Sequence, residues 1–124
     1  MKVLAGGTFN NIHKGHVFFI SECKKLGDFL VIVIANDSTV LKRKKLLRNA
    51  EKRKESVESL GIADSVIIGN EKNHLEIIEK ERPDIIALGY DQKMPGLEEK
   101  TKELGLKIIR IKKLEGYSTR ANIR

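Results

Sequence analysis

The chain has little of several things, and each shortage removes a class of protein. Cys23 is the single cysteine among 124 residues, so no internal disulfide can form and a reducing, cytoplasmic setting is expected. Its place on an apolar helix face predicts a buried thiol. There is no tryptophan, and the six aromatics are four Phe and two Tyr. None is interleaved with the basic residues as a stacking platform, and no nucleic-acid module signature occurs, so no nucleic-acid partner is expected. The longest apolar run, from Phe29 to Ala35, covers seven residues, far below the roughly 20 of a membrane helix. No membrane partner is expected either. Met1-Lys2 leads directly into a short apolar run and two glycines, unlike a secretory leader. His13, His16 and His74 are the only histidines, too few with an inward-facing cysteine for a credible zinc site. Both common phosphate fingerprints, the P-loop lysine and Gly-x-Gly-x-x-Gly, are missing.

What is present is uneven. The formal net charge is +7. Between Ser38 and Lys54 stand eight basic residues and one acid, Glu51, and the rest of the chain balances at 16 against 16. The whole surplus therefore lies in one segment, which suits a polyanionic ligand such as a nucleotide and is also compatible with a solvated basic helix face.

Apolar periodicity alternates between strand and helix along the whole chain. Val3 to Ala5 reads as a first strand. Val17 with Ile20, and Phe19 with Cys23 and Leu26, fall at helical spacing, with Gly27 as the expected C-cap. The run from Phe29 to Ala35 has the continuous character of a parallel strand covered on both faces. Asn49 is the expected N-cap of a helix that runs to Leu60 and stops at Gly61. Ser65 to Ile68 is a third strand. Asn70 to Asn73 turns into a helix with Leu75 and Ile78 inward, closed by Arg82-Pro83. Asp84 to Leu88 is a fourth strand. Pro95 is placed in the first turn of a helix bearing Leu97, Thr101 and Leu104, with Gly105 beyond its end. Leu106 to Ile111 is a fifth strand, and Gly116 to Thr119 opens a last short helix. Five strands alternating with helices predict an α/β, Rossmann-like three-layer sandwich with a five-stranded parallel sheet, one domain over residues 1–124. In such folds ligands bind beyond the carboxyl ends of the strands, where strand order reverses. The polar motifs all follow strand ends: Gly6 to His16, Asn36-Asp37, Gly89 to Gln92, and Gly116 to Thr119.

The first of these motifs is the richest. Gly6 and Gly7 leave the backbone open to a ligand. A helix start after them would offer unpaired N–H groups and a partial positive charge. His13 and His16, three residues apart, would lie on one face of the first turn. Together they read as a phosphate site with two proton-capable donors. A zinc site or an incidental surface pair is the weaker reading.

The stretch Gly7-Thr8-Phe9-Asn10 followed by His13-Lys14-Gly15-His16 resembles the nucleotidyltransferase (cytidylyltransferase-like) superfamily, with its Gly-Thr-Phe-Asp turn and His-x-Gly-His. Glu115-Gly-Tyr-Ser-Thr119 is similar to the family's Gly-Ile-Ser-Thr element. That resemblance implies transfer of a nucleotidyl group, with attack on the α-phosphorus of a nucleoside triphosphate and departure of pyrophosphate. It implies His13, His16 and Lys44 as catalytic residues, although Lys42, Arg43 and Lys45 stand beside Lys44. It further implies nucleotide contacts at Gly7, Thr8, Phe9, Asn10, His13, Lys14, Gly15, His16, Arg53, Gly89, Asp91, Tyr117, Ser118 and Thr119. No protein cage for a metal is evident, so Mg²⁺ or another divalent cation is expected on the phosphates. The family commonly forms homodimers. Asn10 departs from its usual aspartate, keeping the size and losing the charge. Within the superfamily, Ile85-Ile-Ala-Leu-Gly-Tyr-Asp-Gln92 looks like the archaeal-type FAD synthase branch, which implies ATP and FMN as substrates. The alternative is a CTP-dependent cytidylyltransferase acting on glycerol 3-phosphate or a similar phosphorylated alcohol. Against it, the cytidylyltransferases carry Gly-Asp-Asp-Trp after strand four and Arg-Thr-Glu-Gly-Ile-Ser-Thr near the end.

Overall fold

The computed structural model describes residues 1–41, 48–69, 74–90, 92 and 94–112. The elements run β1 (Lys2–Gly7), α1 (Lys14–Lys24), β2 (Phe29–Ile34), α2 (Asp37–Leu41), α3 (Ala50–Ser59), β3 (Ser65–Ile68), α4 (His74–Glu81), β4 (Ile85–Leu88), α5 (Leu97–Leu104) and β5 (Lys107–Arg110). All four strand pairings are parallel, in the order β3-β2-β1-β4-β5. Strand order reverses between β1 and β4, so the crevice expected of a doubly wound sheet lies beside the glycine pair that ends β1.

Period-two alternation along the strands divides the core into two layers. Val3, Ala5, Leu30, Ile32, Ile34, Ile85 and Ala87 face one side, where Ile20 and Cys23 of α1 and Val57 of α3 cover them. Leu4, Val31, Ile86 and Leu88 face the other side, against Ile78 of α4 and Leu97 of α5. The apolar run of β2 has four of its six residues buried because it lies inside the sheet with a layer on each face. Each fully buried Ile, Leu or Val contributes about 1.5–3 kcal/mol. Burial pushes the Cys23 thiol up to about 12, so it behaves as a small apolar side chain, as its helix position predicts.

Three local expectations change. Helix α1 ends on a right-handed Lys25 rather than on a glycine cap. Gly27 is needed for a different reason: a Cβ there would lie 2.4 Å from the Met1 carbonyl oxygen. Pro95 sits outside α5, whose N-cap is the left-handed Gly96 (φ 82°). The one-turn α2 was not foreseen, since the residues after Asn36 carry no helical period long enough to read. Other stops hold as expected. The Asn49 side chain accepts from the Lys52 N–H at 2.9 Å, while Gly61 (φ 68°) and Gly105 (φ 70°) are left-handed beyond their helices. The turn at 70–73 and the last helix at 116–119 lie outside the described residues.

Candidate active site

At the C-terminal end of β1 the chain must turn sharply to start α1, and the residues there serve that turn. Phe9 holds a left-handed conformation (φ 53°), a strain of about 1–3 kcal/mol for a bulky residue. Its ring is 4% exposed and packs into the α1 side of the core, and that burial offsets the strain. A Cβ at Gly7 would come within 3.0 Å of the Phe9 ring, and one at Gly6 within 3.1 Å of the Val33 carbonyl oxygen. The glycine pair therefore first lets Phe9 tuck under β1 and β2 lie close. Openness toward a ligand is a consequence rather than the only cause.

His13 is the N-cap of α1, with extended backbone (φ −135°, ψ −178°). Its Nδ1 accepts from the Gly15 N–H at 3.0 Å, and the Nδ1 of His16 accepts from the His13 N–H at 3.1 Å. This is the reciprocal capping box, with histidines in the places that Ser or Thr and Glu or Gln usually fill. An acceptor nitrogen carries no proton, so each imidazole is held as the tautomer with its hydrogen on Nε2. The two rings sit 4.1 Å apart, tilted by 38°, and the Phe9 ring lies 5.5 Å from that of His16. The two imidazoles are thus held next to each other by their Nδ1 atoms at the start of α1, shortly after the end of β1. The sequence pointed to two sets of phosphate donors, the backbone amides of the first turn and the two imidazoles. In the structure the Gly15 amide is bonded to His13, and the His16 amide to the His13 carbonyl at 3.0 Å. Those two amides are therefore engaged within the turn itself.

Arg53 lies elsewhere than the resemblance implied. It is 0% exposed. Its Nε donates to the Arg48 carbonyl at 2.9 Å, Nη1 to the Thr8 carbonyl at 2.9 Å, and Nη2 to Asp37 Oδ1 at 2.8 Å. A guanidinium with acceptors on all three nitrogens supports the Thr8 turn from beneath and does not face a ligand. Phe9 is likewise too buried for its ring to touch one, leaving only its backbone. Both Gly89 backbone groups are occupied too, the N–H by Gln92 Oε1 at 2.9 Å and the carbonyl by Arg110 Nη1 at 2.7 Å. Asn10 and Gly15 are half-buried and Lys14 is exposed, beside the histidines in the chain. Lys44, Asp91, Tyr117, Ser118 and Thr119 lie outside the described residues.

The structure therefore brings together the ends of β1, β2 and β4, three of the four polar motifs. Sequence reasoning placed Asp37 and Gln92 in strand-end motifs without a partner for either, and passed over Arg110. Asp37 carried one usable signal, its place just after a strand. Its partner stands 16 residues away, beyond any helical spacing. Among the described residues no group of three or more His, Cys, Asp or Glu could hold a metal ion, and no helix is long and apolar enough to cross a membrane.

Comparison with known proteins agrees with this fold. The cytidylyltransferase-like family model matches residues 4–122. A FAD synthase of Picrophilus torridus is 43% identical over 121 residues, covering 94% of this chain and 87% of that one. A FAD synthase of Methanosarcina barkeri is 42% identical, covering 89% and 82%. Among solved structures, a protein of Thermoplasma volcanium described as a lipopolysaccharide core biosynthesis protein superposes with a TM-score of 0.85 at 38% identity, covering 93% of this chain and 98% of that one.

Proposed function

We propose, from the premise that this chain belongs to the cytidylyltransferase-like family, that His13 and His16 hold the phosphates in its nucleotidyl transfer. The reaction is that of an FMN adenylyltransferase: AMP passes from ATP to FMN, giving FAD and pyrophosphate. A phosphate oxygen of FMN attacks the α-phosphorus of ATP, the bond from that phosphorus to the bridging β-oxygen breaks, and pyrophosphate leaves. Negative charge grows on the α-phosphate oxygens and on the leaving group, so donors aimed there before the reaction lower the barrier most.

One observation supports the histidine assignment above all: the capping box leaves both Nε2–H groups as fixed donors. Because neither ring is free to rotate, little reorganisation is needed when charge develops. Arg53, through Thr8, holds the turn that sets their position. Lys44, Ser118 and Thr119 complete the reading as contacts to the triphosphate, with Asp91 and Tyr117 beside the nucleoside. With no protein trio to cage a metal among the described residues, a divalent cation such as Mg²⁺ fits best on phosphate oxygens, where it supplies further neutralising charge. One domain, residues 1–124, carries the reaction, in the cytoplasm and as a homodimer. A buried single thiol suits that compartment, and size-exclusion chromatography tests the assembly.

The decisive experiment supplies Mg²⁺ with ATP and FMN in one mixture and with CTP and glycerol 3-phosphate in another. FAD and pyrophosphate form in the first. Pyrophosphate release confined to the second mixture would overturn the reading.

A further inference from the structure

The crevice between β1 and β4 is bridged by one side chain. Ladder pairing of these strands stops at Ala5 opposite Ala87. The flanking ladders continue, β1 with β2 to Gly7 opposite Ile34 and β4 with β5 to Leu88 opposite Arg110. Where β1 and β4 part, the Gly6 carbonyl and the Gly89 N–H lose their strand partners. The Gln92 carboxamide takes both: its Nε2 donates to the Gly6 carbonyl at 3.0 Å and its Oε1 accepts from the Gly89 N–H at 2.9 Å. A primary amide presents one donor and one acceptor in the geometry of a peptide group, so it extends the ladder by one rung across the gap. Arg110, at the end of β5, fastens the same loop from outside. Its Nη1 donates to the Gly89 carbonyl at 2.7 Å and to the Gln92 carbonyl at 2.8 Å.

We propose that Gln92 and Arg110 are positioning residues that hold the loop after β4 in register with the glycine turn, and so align the nucleoside half of ATP with its triphosphate. This rests on the reading of residues 7–16 as the phosphate half and of residues 89–92 as the nucleoside half. The Gly6 carbonyl lies one residue before Gly7, and the Gly89 amide lies at the root of the nucleoside loop. A bond pair joining these two atoms fixes the distance that a single ATP molecule must span. Without it each half keeps its own fold and the two no longer fit one ligand together.

Two ligands separate the halves: ATP needs both, inorganic tripolyphosphate only the phosphate half. Titration calorimetry compares their dissociation constants for the wild type, Gln92→Glu, Arg110→Met and Arg110→Lys. Glutamate keeps an acceptor for Gly89 and sets an oxygen against the Gly6 oxygen, while lysine keeps a donor that can reach both loop carbonyls. The ratio of the ATP to the tripolyphosphate dissociation constant should rise about tenfold in Gln92→Glu and Arg110→Met, the size expected for the loss of one hydrogen-bonded link. Arg110→Lys should return most of it. The KM for ATP should rise in parallel, with a smaller change in kcat. An unchanged ratio in Gln92→Glu and Arg110→Met, or an equal weakening of both ligands, overturns the proposal. Should Gln92→Glu fail to fold by circular dichroism, the two Arg110 variants decide, since that side chain is exposed at the sheet edge. Absence of FAD formation by the wild type would instead defeat the assignment of the reaction, and the ratio of the two ligands would still decide the alignment.

Discussion

At the N-terminal ends of the strands the chain is closed by carboxylates, whereas among the described residues the C-terminal ends are closed by an amide, imidazoles and two guanidiniums, the buried one paired with Asp37. Asp64 and Asp84 each stand just before a strand and accept from the first amides of its neighbour: Asp64 from the Leu30 N–H at 2.8 Å and Asp84 from the Lys2 N–H at 2.7 Å. Lys24 pairs with Asp64 at 2.6 Å, and Lys2 with Glu81 at 3.1 Å. At the other end the corresponding links are Gln92 to Gly6 and Gly89, Arg110 to Gly89, and Arg53 to Thr8. Among these links the one carboxylate is Asp37, and it is paired with Arg53. The division has a physical reason. A polyanionic ligand is repelled by unpaired carboxylates, and in the proposed reading, which seats the triphosphate at the C-terminal ends, the pairing of Asp37 with Arg53 neutralises such a charge there. The acids at the N-terminal ends serve strand-end links instead.

That contrast can be broken from either side. The largest effect is expected at His16. Replacement by Ala should lower kcat by about 10²–10³-fold, as loss of one oxyanion donor does elsewhere. It also removes the acceptor for the His13 N–H, so the midpoint of thermal unfolding should fall. His16→Glu keeps a capping-box acceptor but has no N–H to donate when ionised, and should restore the midpoint without restoring turnover. Recovery of both together would remove the donor role.

Arg53→Met is next. It leaves the Thr8 and Arg48 carbonyls without their charged donor and should cost about 3 kcal/mol in urea unfolding. Turnover per folded molecule should fall as well, because the turn bearing the histidines loosens. A loss of stability with full retained turnover would show that Arg53 acts on the fold alone.

Gly27→Ala probes the opposite end. The new Cβ meets backbone rather than a flexible side chain, so a loss of about 1–3 kcal/mol is expected, with kcat and KM unchanged in the molecules that remain folded. The smallest effect should come from acid. The Lys24 ammonium, then the Leu30 N–H, hold the Asp64 carboxyl below the usual carboxylate range. A carboxyl whose folded value is depressed stabilises above its unfolded value and loses that contribution as pH falls through the folded one. Asp64→Asn should therefore be less stable than the wild type by its full, slight margin above about pH 4, and the two should converge as pH falls below that toward the folded value, the margin being slight because the pair is partly exposed. A difference confined to low pH would contradict this assignment.

Much of the fold was legible because its signals are local. The continuous apolar run at 29–35 required a strand covered on both faces, and the structure gives it one layer on each. Asn49, Gly61 and Gly105 marked their helix ends by chemistry that acts within one turn. Gly27 and Pro95 misled for the converse reason. Gly27 answers to the Met1 backbone, distant in sequence, and Pro95 belongs to the turn that precedes the left-handed Gly96. The site divides in the same way. The histidine pair was visible in the spacing of residues 13 and 16. The tautomer of each ring was not, because proton placement follows from which backbone amide each Nδ1 meets.

By itself the sequence determined the order of strands and helices, the two-sided core, the strand-end placement of the polar motifs and the family they resemble. Periodicity, caps and short motifs act over a few residues, so they can be read along the chain. Only the tertiary structure decided that Arg53 faces inward, that Phe9 anchors the turn, and that Gln92 and Arg110 span the opening beside Gly6. Those outcomes depend on which atoms meet across 45, 86 and 18 to 21 residues of chain, and such meetings are set by the packing of strands that the linear order does not bring together.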